Sequence, residues 1–282
     1  MELLTHSPAA AADVPSRERV DALAAGTPAR MLITTSWDDG HPLDLRVAER
    51  LARRGMRGTF YVPLRYHAVP RMSPSAMRHL HAMGMEIGSH TVSHPRLSEV
   101  NDDIAFREMR ESRDALEDLL GEPVTSFCYP EGKLRPGLIG LAAAAGYTLA
   151  RTTLAFRNSL AFHPLAMPVS MQLYPHSPAI LGRHALLEGN FAGLAAWIGR
   201  FGCVSDPARL TARMHSDLRA RGGILHLWGH SWELEQNGLW PLLDRVLDVI
   251  AREQGVEHVT NHGVLARRPA AQGGTLCGSL TV

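Results

Sequence analysis

Three cysteines in 282 residues, Cys128, Cys203 and Cys277, are too few and too scattered for a disulfide framework or a cysteine-built zinc site, and they fit a reducing compartment. Charge of one sign is lacking too. The formal net charge is +1, which leaves no strong field for nucleic acid or an anionic membrane. No basic run carries interleaved aromatics, so nucleic acid is not expected as a partner. No apolar run approaches the roughly 18 residues of a membrane span. The opening stretch, MELLTHSPAAAADVPSRERV, has no basic start followed by an apolar run of signal-peptide length. These absences predict a soluble, cytoplasmic protein. Hydrophobic residues at 45% and charged residues at 20% describe an ordinary globular chain, long enough for one large α/β domain or two small ones. Histidine is what the chain has in excess, 15 of them, so where they cluster matters.

Residues 1–29, rich in Ala and Pro, predict an N-terminal extension with one short helix around RERVDALAAG, and residues 268–282 a loose C-terminal tail. Between them, over 30–267, strand-like and helix-like stretches alternate: MLITTSW, then PLDLRVAERLARRG; RGTFYVP, then SPSAMRHLHAMG; MEIGSH, then LSEVNDDIAFREMRESRDALEDLLG; VTSFCYP, then PGLIGLAAAAG. YTLARTT and LAMPVSMQLY continue the strands, PARLTARMHSDLRARG precedes GGILHLWGH, and WPLLDRVLDVIAREQG precedes VEHVTN. Such alternation means parallel strands with crossover helices. About seven units in one domain predict an α/β fold of the distorted (β/α)7 barrel type, with a doubly wound sheet as the alternative.

Barrel active sites form at the C-terminal ends of the strands. The polar residues at those positions are Asp38 and Asp39, His90 and His94, Tyr129, Pro130 and Glu131, Arg151, and finally His230 to Glu233. In TTSWDDG the bland reading of Asp38-Asp39 is a polar Asp-Gly turn. His90 and His94, four apart, are by themselves as compatible with surface decoration as with a ligand pair. Together with one carboxylate they make three protein ligands and leave open positions, the design of a catalytic metal site. If Asp39 is that ligand, its charge is offset. Asp38 is then free to act as a general base, and His230, from another strand, as the general acid. Gly40 lets the chain turn tightly there.

At these residues the sequence resembles the polysaccharide deacetylase family (carbohydrate esterase family 4, the chitooligosaccharide-deacetylase homology domain). TTSWDDG resembles its first motif, SHTVSHP its second and LWGHS its last. The resemblance implies a distorted (β/α)7 barrel and divalent-metal-dependent removal of an acyl group from an amide nitrogen, usually on an amino sugar. It implies Asp38 as base, Asp39, His90 and His94 as metal ligands, with zinc the expected ion, and His230 as acid. The third motif departs: in FCYPEGK, Cys128 stands where the family has an arginine that orients the base, and Glu131 stands near an aromatic position. Arg151 is the candidate replacement for that arginine. The backbone amides around Tyr129 to Glu131 are candidate oxyanion donors. The fourth, Asp-Asp-Trp, motif is not visible.

Tyr129, Pro130, Trp228 and Trp232 are candidate substrate contacts, the two tryptophans being equally readable as core filler or as sugar-stacking faces. His226 reads as a packed core histidine and Cys128 as a small buried residue. The leading expectation is an N-deacylase releasing acetate or formate from an N-acylated amino sugar, met as a nucleotide-sugar or lipid-linked glycan precursor. A non-sugar amide (a ureide or cyclic imide), an Fe(II) oxygenase using the same two-histidine-one-carboxylate set, and a non-catalytic glycan-binding barrel are the alternatives. Oligomeric state is not legible.

Overall fold

The structure, a computed structural model, describes residues 30–251 and 256–268. The predicted extension over 1–29 and nearly all of the predicted tail over 268–282 lie outside the described residues. Seven parallel strands, β1 (Met31–Trp37), β2 (Thr59–Val62), β3 (Glu86–Ser89), β4 (Ser126–Cys128), β5 (Leu149–Arg151), β6 (Met171–Gln172) and β7 (Gly223–Gly229), pair in the order β5-β4-β3-β2-β1-β7-β6. A short β8 (Val256–His258) pairs with the first three residues of β1.

The segment 167–173 joins the two sheet edges. Met167 N–H donates to Ala150 O (2.7 Å) and Thr152 N–H to Met167 O (2.9 Å). Farther along, Ser170 N–H donates to His226 O (2.8 Å) and Leu173 N–H to Trp228 O (2.7 Å). The sheet is thereby curled into a distorted (β/α)7 barrel, in a single domain, as the alternation predicts. Every residue of β1 is buried, which is why MLITTSW reads as a continuous run and not as an in-out alternation. Ile33 and Trp37 pack in the main apolar core. The alternate positions carry a polar interior ladder. Thr34 Oγ1 donates to Asn261 Oδ1 (2.7 Å), and Ser36 Oγ lies 2.9 Å from His226 Nε2.

The helices begin and end where local chemistry dictates. In α1 (Asp44–Ala52), Val47, Ala48 and Leu51 form the buried stripe. Ser73 Oγ accepts from Ala76 N–H to start α2 (Pro74–Ala82). Asn101 Oδ1 caps Ile104 N–H (2.9 Å), and left-handed Gly121 ends α3 (Asp102–Leu120). That cap places the start of α3 after the LSEVN stretch read as helix. The α4 helix (Leu138–Ala144) follows. Residues 175–206, unassigned from sequence, hold two helices, α5 (Pro178–Leu187) and α6 (Phe191–Gly199), capped by Ser177 and Asn190. After them come α7 (Pro207–Arg221), a short α8 (Ser231–Gln236) and α9 (Trp240–Ala251).

Candidate active site

The turn after β1 is built tightly. Asp38 N–H donates to Gly229 O (3.1 Å), tying the ends of β1 and β7 together. Asp39 (φ 75°) and Gly40 (φ 58°) are both left-handed. A Cβ on Gly40 would meet Val62 Cγ1 at 2.8 Å, so only glycine fits this turn. The SHTVSHP stretch is a loop and not a helical turn. Thr91 (φ 71°) and His94 (φ 59°) are left-handed, and His94 N–H donates to Thr91 Oγ1 (2.9 Å). Glu108 of α3 clamps the loop through Val92 N–H, Ser93 N–H and Ser93 Oγ, at 2.8, 2.8 and 2.7 Å. Backbone held in sparsely populated conformations by surrounding bonds is a pattern of functional sites.

That loop brings three donors together. His90 Nε2 and His94 Nε2 lie 3.1 Å apart, and Asp39 Oδ1 is 3.8 Å from the first and 3.5 Å from the second. Two imidazole nitrogens and a carboxylate oxygen this close together suit a divalent cation. His90 Nδ1 donates to Cys128 O (2.8 Å), which leaves Nε2 with its lone pair. Burial pushes the His90 imidazole down to about 4, against the pull of Asp38, so it stands neutral. His94 stacks on Tyr66, with ring centroids 4.2 Å apart. Trp232 Nε1 donates to Asp39 Oδ2 (2.9 Å). The site expected from sequence to stack on sugar therefore orients the carboxylate.

A second cluster, Asp38, His90 and Cys128, has the same compactness. It is the poorer cation site for two reasons. Burial first, then the charges of Asp38 and Asp39, push the Cys128 thiol well up, although Arg151 opposes this, and a protonated thiol is a weak ligand. Asp38 is also already taken, because Arg151 Nη2 donates to its Oδ1.

The Asp38–Arg151 pair sits at the bottom of the mouth. Arg151 is fully buried and Asp38 is 4% exposed. Burial alone raises the Asp38 carboxyl, but the Arg151 charge, helped by His90, His230 and the hydrogen bond, outweighs it and holds the carboxyl below its usual range. The Arg151 guanidinium lies 5.0 Å from the Trp228 ring centroid and 5.4 Å from that of Tyr61. Cys128 Sγ stands 3.8 Å from Asp38 Oδ2, so the residue read as inert filler touches the candidate base.

His230 caps the end of β7. Its Nδ1 lies 2.7 Å from Glu233 Oε2, and its Nε2 is 3.7 Å from Asp39 Oδ2. Burial lowers the imidazole, yet the Glu233 hydrogen bond and the charges of Asp38 and Asp39 together raise it above its ordinary value. A cation at Asp39 offsets that residue's share and leaves the share of Glu233. Gln172 Nε2 donates to Glu233 Oε2 (3.1 Å), and His176 Nε2 lies 3.0 Å from Gln172 Oε1.

These groups open into a cleft of about 560 Å³. Asp38, Asp39, His90, His94, Trp228, His230 and Trp232 line it; Tyr129 and Pro130 do not. Tyr129 is fully buried. Its hydroxyl donates to Leu165 O (3.0 Å) and its N–H to Arg151 O (3.2 Å). That amide is therefore spent on β5, and the expected oxyanion contact there does not fit the geometry. Glu131, left-handed at φ 56°, lines the cleft in its place. His226 is a bonded core histidine, with Nδ1 3.0 Å from Pro168 O.

A family model for polysaccharide deacetylases matches residues 25–150. Over this segment the chain is similar to the polysaccharide deacetylases. The matched segment carries the WDDG and SHTVSHP motifs and stops one residue before Arg151. The roles of Arg151, His230 and Glu233 accordingly rest on geometry. No curated protein matches the chain in sequence. Among solved structures, a Mycobacterium smegmatis protein assigned to the polysaccharide deacetylases is 16% identical with TM-score 0.60, over 93% of this chain and 95% of that one. The chitin deacetylase of Colletotrichum lindemuthianum is 16% identical with TM-score 0.54, over 83% and 86%. The Xyl-CE4 domain of a xylanase from the hindgut metagenome of Trinervitermes trinervoides is 17% identical with TM-score 0.52, over 84% and 91%. At these identities the likeness is one of fold.

Sequence reasoning missed several groups at or beside this site. Tyr66 follows β2 with no motif to mark it. Gln172 was read as a strand residue with no role at the site, and His176 comes from the unassigned stretch. Asp44, fully buried in α1 behind the cleft lining, carries a carboxyl pushed well up by burial and by the charges of Asp39 and Asp38, although Ser231 opposes this. Glu233 was legible as a strand-end residue, and its spacing of three from His230 was the unused signal.

Proposed function

We propose that this polysaccharide deacetylase family member is a divalent-metal-dependent N-deacylase that removes an acetyl or formyl group from an amino sugar or glycan precursor. The observation that supports the reading is that Asp38 and His230 share one cleft with the Asp39–His90–His94 cluster, each with its own partner, Arg151 and Glu233.

A cation, zinc in this reading, held by Asp39, His90 and His94, supplies Lewis acidity toward the acyl carbonyl and toward the hydrolytic water. Asp38, kept ionised by Arg151, accepts a proton from that water as the water's oxygen bonds to the acyl carbon. His230, protonated and oriented by Glu233, gives its proton to the amide nitrogen as the carbon–nitrogen bond breaks. Free amine and carboxylic acid leave, and the proton on Asp38 restores the imidazolium through solvent. The raised imidazole and the lowered carboxyl keep acid and base in complementary states near neutrality. Trp228 lines the cleft as a face for a sugar ring.

The test is acid release. Zinc-loaded protein is incubated with N-acetyl and N-formyl amino sugars, free, nucleotide-linked and lipid-linked, and acetate and formate are quantified separately. Release by the wild type and not by Asp38→Asn is expected. No release from any of the panel by the metal-loaded protein would defeat the amino-sugar reading.

A further inference from the structure

The cleft has a second wall that the chemistry above does not use. Helix α5 borders it through Leu181, Arg183, His184 and Leu187, and α6 follows α5 outside the lining. Among the described residues, the large apolar side chains that stand exposed are Ile180 (41%), Leu186 (53%), Leu187 (71%), Phe191 (67%) and Ile198 (53%), and all five lie on these two helices. Each helix buries little in return: Ala185 in α5, and Gly193 and Trp197 in α6. Helices apolar on nearly every side are normally found inside a core or a bilayer, and an exposed cluster of this kind marks an interaction surface.

The charges on the pair select the occupant. Arg183, His184 and Arg200 are exposed. The one acidic residue between Pro178 and Arg200, Glu188, is half-buried, and its Oε2 accepts from Ala155 N–H at 2.8 Å. Arg200 pairs with Asp217 of α7 (3.8 Å), and within 178–200 the exposed charged side chains are cationic, so the face combines apolar groups with positive charge, as a surface lying in the headgroup region of an anionic bilayer does. The whole-chain charge of +1 conceals this local asymmetry. No described helix is long and apolar enough to cross a membrane, so the fit is to lying on the surface.

Resting on the N-deacylase reading above, we propose that α5 and α6 seat on an anionic lipid surface and that the cleft takes an N-acylated amino sugar carried on a lipid phosphate. One continuous cleft runs from the metal-ligand cluster to Arg183 and Leu187. A substrate with acyl group, sugar, phosphate and lipid in succession presents the same chemical order. Arg183, which forms no ion pair with a described residue, faces the cleft where a phosphate can use it.

The test is vesicle flotation of the full chain, using phosphatidylcholine vesicles with and without phosphatidylglycerol. Wild type is expected to float with the phosphatidylglycerol vesicles and to be partly released by added salt. Leu186→Glu with Phe191→Glu, both outside the cleft lining, should weaken that binding by roughly tenfold or more. Its circular dichroism and acid release from a water-soluble N-acetyl amino sugar should match wild type. Should that pair unfold, Ile198→Glu replaces it with the same expectation. Wild type that stays unbound with both vesicle types, or a variant that floats equally well, overturns the docking surface. So does a wild-type dimer in sedimentation that the substitutions split, since a second copy would then cover the face. Vesicle binding without acid release from any substrate would sink the hydrolase reading and leave the lipid surface standing.

Discussion

The two walls of the cleft are built on opposite plans. The wall formed by β1, β3, β5 and β7 carries charged and ionisable groups that are buried and individually partnered: Asp38 by Arg151, Asp39 by Trp232, His90 by the Cys128 carbonyl, His230 by Glu233. The other side, where α5 lines the cleft and α6 follows it, carries apolar groups that are exposed, Leu187 inside the cleft and Ile180, Leu186, Phe191 and Ile198 beyond it. Burying a charge without a partner costs several kcal/mol, about 3–5 when one half of a buried pair is removed, so the first wall tolerates little change. Exposed apolar groups owe nothing to the fold, and substitutions there usually stay within about 0.5 kcal/mol. On the proposed function, the contrast separates where bonds are broken from where a substrate is received.

The largest effect that sharpens this contrast is expected at Asp38. Asp38→Asn should retain the metal and lose turnover by two or more orders of magnitude, read by acid release at saturating substrate. Full activity would remove Asp38 from its role. The next is Arg151→Ala, which leaves the Asp38 carboxyl buried alone and should cost about 3–5 kcal/mol in denaturant unfolding. Arg151 holds the Asp38 carboxyl down, so its loss lets burial push that carboxyl up, and the acid limb of kcat/KM should move to higher pH. Arg151→Lys should recover part of both. An unchanged acid limb in Arg151→Ala would make the arginine a purely structural group.

A smaller effect is expected at Glu233. The imidazole of His230 is raised partly by Glu233, and the protonated form is the one that donates. Glu233→Gln lowers it, so the basic limb of the same profile should shift to lower pH, with the deficit growing as pH rises. A basic limb that stays in place would assign it to another group. The smallest effect is expected on the other wall. Ile180→Ser should change unfolding free energy by about 0.5 kcal/mol or less and leave acid release from a soluble amino sugar unaltered. A large loss of stability there would show that the α5–α6 face is packed against something in the isolated chain.

The same contrast governs what was readable before the structure. The first wall is written in local signals. A strand-like run ends in Asp38-Asp39, a glycine follows because nothing larger clears Val62, and two histidines share one loop. Three-residue strands such as β4 and β5 were found because Pro, Gly and helical periodicity bracket them. Arg151 was legible as a strand-end cation, but its hydrogen bond to Asp38 spans 113 positions and no spacing rule encodes that. Tyr129 failed for the complementary reason. Its side chain looked like part of a motif, while β5 claimed its amide and Leu165 its hydroxyl. The second wall escaped because α5 and α6 have no one-sided apolar stripe, so helical periodicity had nothing to detect.

The measurement closest to the central claim is X-ray absorption at the zinc edge on protein loaded with one equivalent of zinc. The account predicts a first shell of nitrogen and oxygen at about 2.0–2.2 Å with no sulfur, from His90, His94 and Asp39, and loss of that shell in His94→Ala. A sulfur shell near 2.3 Å, lost in Cys128→Ser and kept in His94→Ala, would place the ion in the Asp38–His90–Cys128 cluster and contradict the assignment of Asp38 as a free base.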